Sequence, residues 1–171
     1  MQFSTKATAL STTPTSCLVL GVFSNGNLPE ATAEIDKASN KAITKLLKAG
    51  DMNGKAKEAV LLQNIAGIKA QRILLVGCGK KTELTLKKFT EILSFTVDQL
   101  NRYALEDALL GISSLAVEKH GMERKAMQIA KTFTCAEYRY KETLSKPKAA
   151  IKLKRLAIAC SVKERAQSKK G

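Results

Sequence analysis

Apolar runs alternate along the chain with stretches whose apolar residues recur at helical spacing. The clearest run, Ile73–Gly77, is apolar throughout, and Gly77 and Gly79 close it. Such a run is typical of a strand buried on both faces and followed by a sharp turn. A helical pattern begins at about Thr85, so strand, glycine turn and helix together form the unit around which α/β domains are built.

Further strands and helices are predicted on both sides of this unit. The other strands are expected at 1–9, 17–23, 59–62, 107–115 and 153–162, and helices at about 29–50, 85–103 and 123–142. The order β-β-α-β-β-α-β-α-β predicts an α/β fold, a three-layer α/β/α sandwich on a mixed sheet. We expect one domain over 1–162, with 163–171 as a basic tail that starts a linker.

The charge of the chain is its most extreme property. The net charge is +14, and positions 115–171 hold 15 Lys and Arg against 5 Asp and Glu. An excess of this kind favours double-stranded DNA or another acidic partner, although a solvated lysine-rich surface is the simpler interpretation of any one lysine. The candidate nucleic-acid-binding residues flank the last predicted strand: Lys146, Lys148, Lys152, Lys154, Arg155, Lys163 and Arg165.

No catalytic or metal-binding constellation is visible in the sequence. The four cysteines are not clustered, lie in or beside predicted strands or in a helix (Cys135), and are expected to be small buried apolar residues in a reduced, cytoplasmic protein. Glu106 and Asp107 are adjacent and are expected in a solvated turn, because neighbouring side chains of an extended chain point apart. His120 has no partner that the sequence can place beside it. No apolar run is long enough to span a membrane.

The glycine turn after the central strand is a candidate ligand loop, formed by Gly77, Gly79 and Lys80. A dinucleotide-binding fingerprint requires a third glycine at position 82, which is Thr82 here. A tight turn is therefore the favoured role, and ligand binding remains the alternative.

Several segments resemble the amino-terminal domain of bacterial leucyl aminopeptidases, the cytosol aminopeptidase family. They are the start Met1–Ser4, the strand Leu18–Phe23, the segment Leu46–Asp51 and, most specifically, Arg72–Lys80. The resemblance implies a fold related to macro domains. It also implies a carboxy-terminal catalytic domain with two divalent metals (Zn or Mn), a hexamer, release of amino-terminal residues from peptides and, in some bacterial members, DNA binding.

The chain departs from this family at its catalytic signature, because the run Asn-Thr-Asp-Ala-Glu-Gly-Arg is absent from the sequence. We therefore expect a non-catalytic amino-terminal domain, inactive alone, whose partner is the missing carboxy-terminal peptidase domain. It would serve assembly, regulation and DNA binding, and the hexamer would form only in the full-length protein. Two alternatives stay open: a stand-alone DNA-binding module, and a macro-like binder of an ADP-ribose-type ligand near Gly77–Lys80.

Overall fold

A computed structural model describes residues 1–7, 9–103, 105–118, 120–142 and 153–160. Its strands are β1 (Gln2–Lys6), β2 (Leu18–Val22), β3 (Ala59–Gln63), β4 (Arg72–Gly77), β5 (Asp107–Leu110) and β6 (Arg155–Ala159). Its α-helices are α1 (Glu30–Ala38), α2 (Ala42–Ala49), α3 (Leu86–Leu100) and α4 (Met122–Glu142). The strands form one sheet in the order β1-β6-β5-β2-β4-β3, with only the β3–β4 pair antiparallel.

Helices cover both faces of this mixed sheet. Alternate residues of β2 and β4 enter two apolar clusters, one shared with α1 and α2 and the other with α3 and α4. Ile73 to Gly77 are all buried, as predicted for a strand covered on both sides. The three-layer α/β/α sandwich on a mixed sheet is confirmed.

The predicted helix over 29–50 is wrong, because two helices separated by a break occupy this stretch. Asn40 and Lys41 have φ values of 53° and 58°, in the left-handed region that ends a helix. The Lys41 amide donates to Asp36 O at 2.7 Å, and the Thr44 amide donates to Asp36 Oδ1 at 2.9 Å. The buried Asp36 side chain thus caps α2, and the apolar stripe that runs through both helices conceals the break.

The strand predicted over 107–115 is too long, because β5 ends at Leu110 and residues Gly111–Ser114 form a 3-10 turn. We call this segment the closing turn. The strands predicted over 1–9 and 153–162 are also shorter, and residues 161–162 lie outside the described residues.

Two expectations about single residues need correction. Cys135 is exposed, not buried, since it lies two positions beyond Phe133 on α4 and so turns away from the sheet. Asp107 is not in a solvated turn: its carboxylate accepts hydrogen bonds of 2.7 Å from the hydroxyls of both Thr15 and Ser16. Cys17 and Cys78 are buried, as predicted, whereas Cys160 is only half-buried.

Candidate functional site

The carboxyl ends of the parallel strands are where an open α/β sheet normally binds ligands, at the point where the strand order reverses. After β2, the chain forms β3 and β4 on one side of that strand. It then crosses back and forms β5 and β6 on the other side. The switch point therefore lies between β2 and β5. We call the space beyond the ends of these two strands the switch-point crevice.

Buried residues of the closing turn pack beside the switch-point crevice. A Cβ placed on Gly21 of β2 would lie 2.8 Å from Cys78 Sγ, 3.5 Å from Leu115 and 3.6 Å from Ile112, so these side chains pack against the last residues of β2. Ile112, Ser113 and Leu115 are at most 2% exposed. From the opposite face, the Thr32 hydroxyl of α1 donates to Gly21 O at 2.7 Å.

A buried lysine holds the closing turn in this position. Lys125 of α4 is only 4% exposed, and its ammonium donates to Ser113 O at 2.7 Å and to Leu115 O at 3.0 Å. The Ser113 hydroxyl lies within hydrogen-bond distance of the Leu110 and Ala159 carbonyl oxygens, which links the turn to β5 and β6. A buried charge that is hydrogen-bonded in this way costs free energy if either partner is removed.

An open cleft lies one strand away, beyond the ends of β2 and β4. Its volume is about 290 Å³, and we call it the lysine cleft. Three segments bound it: the loop 55–57, the turn 78–80 and the amino-terminal half of α3. Its lining consists of Ser24, Lys55, Ala56, Lys57, Cys78, Gly79, Lys80, Glu83, Lys88, Glu91, Ile92 and Phe95, which gives four lysines and two carboxylates.

Close backbone packing positions the loop that carries Lys55 and Lys57. A Cβ on Gly77 would lie 1.9 Å from Lys55 O, so only glycine permits this approach. The Gly79 amide donates to Gly54 O at 3.0 Å. The carboxylate of Glu58 accepts from the amides of Asn53, at 2.9 Å, and Lys55, at 3.2 Å. The loop is thus fixed against the turn that ends β4.

The rim of the lysine cleft carries more positive than negative charge. Glu83 forms ion pairs with Lys88 at 2.6 Å and with Lys80 at 3.1 Å, and these two lysines hold the pKa of its carboxyl below the ordinary value. Within the part of the chain that the structure describes, Lys55 and Lys57 form no ion pair. Both are exposed, so two ammonium groups face solvent beside the cleft.

The thiol of Cys78 contributes an apolar surface to the cleft, not a nucleophile. Burial raises the pKa of Cys78 to about 12, despite the opposing hydrogen bond with the Val22 backbone. The thiolate is the reactive form of cysteine, so this side chain stays protonated and unreactive at neutral pH.

The structure brings together only part of the residues that the sequence singles out. Gly79 and Lys80 line the lysine cleft, whereas Gly77 supports it from behind. Lys55, Lys57, Lys88 and Phe95 complete the cleft and were not identified from the sequence. Gly54 directly precedes Lys55, just as Gly79 directly precedes Lys80 after β4. This shared glycine–lysine pattern is the sequence signal that could have identified Lys55 and Lys57.

Two of the candidate nucleic-acid-binding residues are described. Lys154 and Arg155 are exposed where β6 begins, and the Arg155 charge is close enough to help lower the pKa of Asp107. The other five, Lys146, Lys148, Lys152, Lys163 and Arg165, lie outside the described residues. The nucleic-acid-binding surface therefore stays a prediction.

The described residues contain neither a metal-binding cluster nor a membrane-spanning helix. Within those ranges, no group of three or more His, Cys, Asp or Glu side chains is placed to hold a metal ion. No helix in the same ranges is both long enough and apolar enough to cross a membrane.

Comparison with known proteins links this chain to peptidases in sequence and to macrodomains in fold. The model of the cytosol aminopeptidase family, N-terminal domain, matches residues 19–147. A cytosol aminopeptidase of Pseudomonas aeruginosa is 33% identical over 174 aligned positions, covering 100% of this chain and 34% of that protein. The chain spans about a quarter to a third of the length of the curated relatives that it matches.

Two solved structures show the same fold. A mutant of tomato leucine aminopeptidase has a TM-score of 0.66 at 16% identity, over 99% of this chain and 35% of that chain. A Trypanosoma brucei macrodomain in complex with ADP-ribose has a TM-score of 0.73 at 9% identity, over 99% of this chain and 68% of that one. The macro-domain-like fold that the family resemblance implies is confirmed.

Proposed function

Since the chain belongs to the cytosol aminopeptidase family, as an N-terminal domain, we propose that it is the non-catalytic accessory domain of a leucyl aminopeptidase-like metallopeptidase. The match of the N-terminal family model to residues 19–147 carries this proposal. The domain would serve assembly and regulation, in the cytoplasm, of a peptidase domain that releases amino-terminal residues from peptides. The two divalent metals, Zn or Mn, would be bound by that peptidase domain.

An activity assay tests the non-catalytic role. The chain alone is expected to release no leucine from leucine p-nitroanilide, with or without added Zn²⁺ or Mn²⁺. The Pseudomonas aeruginosa relative, assayed under the same conditions, is the positive control. Metal-dependent release of leucine by this chain alone would overturn the proposal.

An association assay tests the assembly role. The chain and a separately produced peptidase domain of the Pseudomonas aeruginosa relative are mixed and analysed by light scattering after gel filtration. We expect a joint species with the mass of a hexamer. Two independent peaks at all concentrations would contradict assembly.

DNA binding is a second candidate function, supported by the net charge of +14 and by the exposure of Lys154 and Arg155. The same chain could act through this surface alone, as a stand-alone DNA-binding module.

Fluorescence anisotropy with duplex DNA at several salt concentrations tests DNA binding, because each phosphate contact adds about −0.9 to the slope of log affinity against log salt. Lys154→Glu with Arg155→Glu should weaken binding. The matched control is Lys45→Glu with Lys48→Glu, two exposed lysines on α2. No binding at low salt would contradict this function.

A macro-like site for an ADP-ribose-type ligand is the remaining alternative. The Trypanosoma brucei macrodomain supports it through its fold and its bound ADP-ribose. The buried residues of the closing turn beside the switch-point crevice argue against a site between β2 and β5, which leaves the turn Gly77–Lys80. Calorimetric titration with ADP-ribose should give binding heat that Lys80→Ala weakens, and the absence of heat would remove this alternative.

A further inference from the structure

We propose that the lysine cleft binds a small phosphate-bearing ligand with a flat ring, of the mononucleotide type. This inference stands apart from the peptidase role, since it uses only the cleft beyond β2 and β4. It shares the turn 78–80 with the ADP-ribose alternative and differs from it in ligand size and in the use of Lys55, Lys57 and Phe95.

Charge supports the phosphate end of the ligand. Lys55 and Lys57 stand on one short loop, and neither ammonium has an ion-pair partner among the described residues. Lys80 and Lys88 add two further ammonium groups, both held by the single carboxylate of Glu83. An incoming phosphate would compete with Glu83 for these two lysines, and exposed ion pairs of this kind exchange partners at little cost.

The apolar wall supports the ring. Ile92 is 6% exposed and Phe95 is half-buried, and both lie on the side of α3 that faces the cleft. The protonated Cys78 and the Ala56 methyl group extend this wall without adding charge. A flat ring can stack on an aromatic side chain while its phosphate stays among the lysines.

The volume of the lysine cleft limits the size of the ligand, and its position in the sheet is typical of a ligand site. A cleft of about 290 Å³ is just below the usual range of small-molecule sites, about 300–1,000 Å³. This favours a mononucleotide over a dinucleotide. The cleft lies beyond the carboxyl ends of parallel strands, where α/β sheets place ligands, and it is one strand removed from the switch point.

Isothermal titration calorimetry with AMP tests the proposal, with inorganic phosphate titrated in parallel. The wild-type chain should bind AMP at least about tenfold more tightly than inorganic phosphate, a difference of about 1.4 kcal/mol. No AMP heat at millimolar concentration would overturn the proposal. Equal affinity for AMP and inorganic phosphate would contradict a contact between the ring of the ligand and the cleft.

Substitutions at the rim of the lysine cleft test where AMP binds. A control pair removes the same number of positive charges outside the cleft. Lys55→Ala with Lys57→Ala should weaken AMP binding about tenfold or more, whereas Lys87→Ala with Lys81→Ala, exposed lysines outside the lining, should change it by less than about threefold. Glu83→Gln should strengthen it, because Lys80 and Lys88 are then released to the phosphate. Equal weakening by both lysine pairs would reduce the effect to general surface charge and would contradict the cleft.

Phe95 tests the stacking contact separately from folding. Phe95→Leu keeps an apolar side chain of similar size, and unfolding in urea shows whether the variant remains folded. A folded Phe95→Leu chain should lose AMP affinity and keep its affinity for inorganic phosphate. Unchanged AMP binding would contradict a ring on this wall.

Discussion

The switch-point crevice and the lysine cleft both lie beyond the carboxyl ends of β2, yet they are built in opposite ways. Beside the crevice between β2 and β5, Ile112 and Leu115 are buried, and the buried Lys125 holds the closing turn. The cleft between β2 and β4 is open and rimmed by exposed lysines. A macro-like fold therefore does not locate a ligand site by itself, because the segments that follow each strand decide which space stays open.

The closed and the open region also differ in how their loops are fixed. The closing turn is held by hydrogen bonds from a side chain, the Lys125 ammonium. The loop 55–57 is held by backbone contact with Gly77 and Gly79. Substitutions that remove one kind of support at a time show whether the two loops are fixed in these different ways.

Gly77→Ala should have the largest effect. The new Cβ would lie 1.9 Å from Lys55 O, so the loop 55–57 must move away from β4. We expect the free energy of unfolding in urea to fall by about 3 kcal/mol, as for a severe steric clash in a packed site. Binding of AMP should be lost as well.

Gly121→Ala is the matched control for this substitution. A Cβ on Gly121 meets nothing within 4 Å, so the free energy of unfolding should change by less than about 0.5 kcal/mol. If Gly77→Ala were as stable as Gly121→Ala, the loop would not depend on close backbone approach.

Lys125→Met should have the next largest effect. The methionine fills similar space but leaves the Ser113 and Leu115 carbonyl groups without the ammonium, at a cost of about 2 kcal/mol in the free energy of unfolding. Arg124→Met, an exposed neighbour on α4, should be nearly neutral. Equal stability of the two variants would show that the closing turn does not need the lysine.

Asp107→Asn should have a smaller effect that depends on pH. Burial alone would raise the pKa of Asp107, but hydrogen bonds from Thr15 and Ser16 outweigh it, so the folded pKa is lowered. The carboxylate therefore stabilises the fold above the unfolded pKa of about 3.9, and the contribution is lost as pH falls through the folded pKa. The wild-type chain should exceed the variant by about 1 kcal/mol at pH 7.

Urea unfolding of both proteins at a series of pH values measures this difference. It should shrink as the pH falls below about 4. A constant difference down to pH 2 would contradict a stabilising charge at Asp107.

Cysteine labelling should have the smallest effect on the fold. Iodoacetamide at pH 7.5 should modify the exposed Cys135 well before the buried Cys78, whose pKa of about 12 keeps it protonated. Peptide mass mapping gives the order. Labelling at Cys135 alone should change the free energy of unfolding by less than about 0.5 kcal/mol. Early modification of Cys78 would mean that the floor of the lysine cleft is accessible and reactive.

The sequence predicts the layers of this fold better than its breaks. The wholly apolar run of β4 and the helical stripe of α3 specify two elements and their burial, because periodicity reports which faces are covered. The break at Asn40 and Lys41 depends on the Asp36 cap of α2, and the end of β5 depends on contacts of Gly111 with β2. Both causes are tertiary or local hydrogen-bonding effects that an apolar stripe does not record.

The sequence predicts only the part of the lysine cleft that lies beside the glycine turn after β4. Gly79 and Lys80 follow β4 directly and could be read from the glycine pattern. Lys55 and Lys57 reach the same cleft because β3 pairs antiparallel with β4, which brings Glu58 beside Gly77. Strand pairing of this kind is not evident from a single sequence, so half of the rim could not be assigned.

Mapping AMP on the isotope-labelled chain by NMR tests the contrast between the two regions most directly. The amide signals of residues 55–57 and 78–80 should shift during the titration, while those of Gly111–Leu115 stay unchanged. Shifts confined to the closing turn and the end of β2 would mean that the switch-point crevice opens to ligand, and would contradict this account.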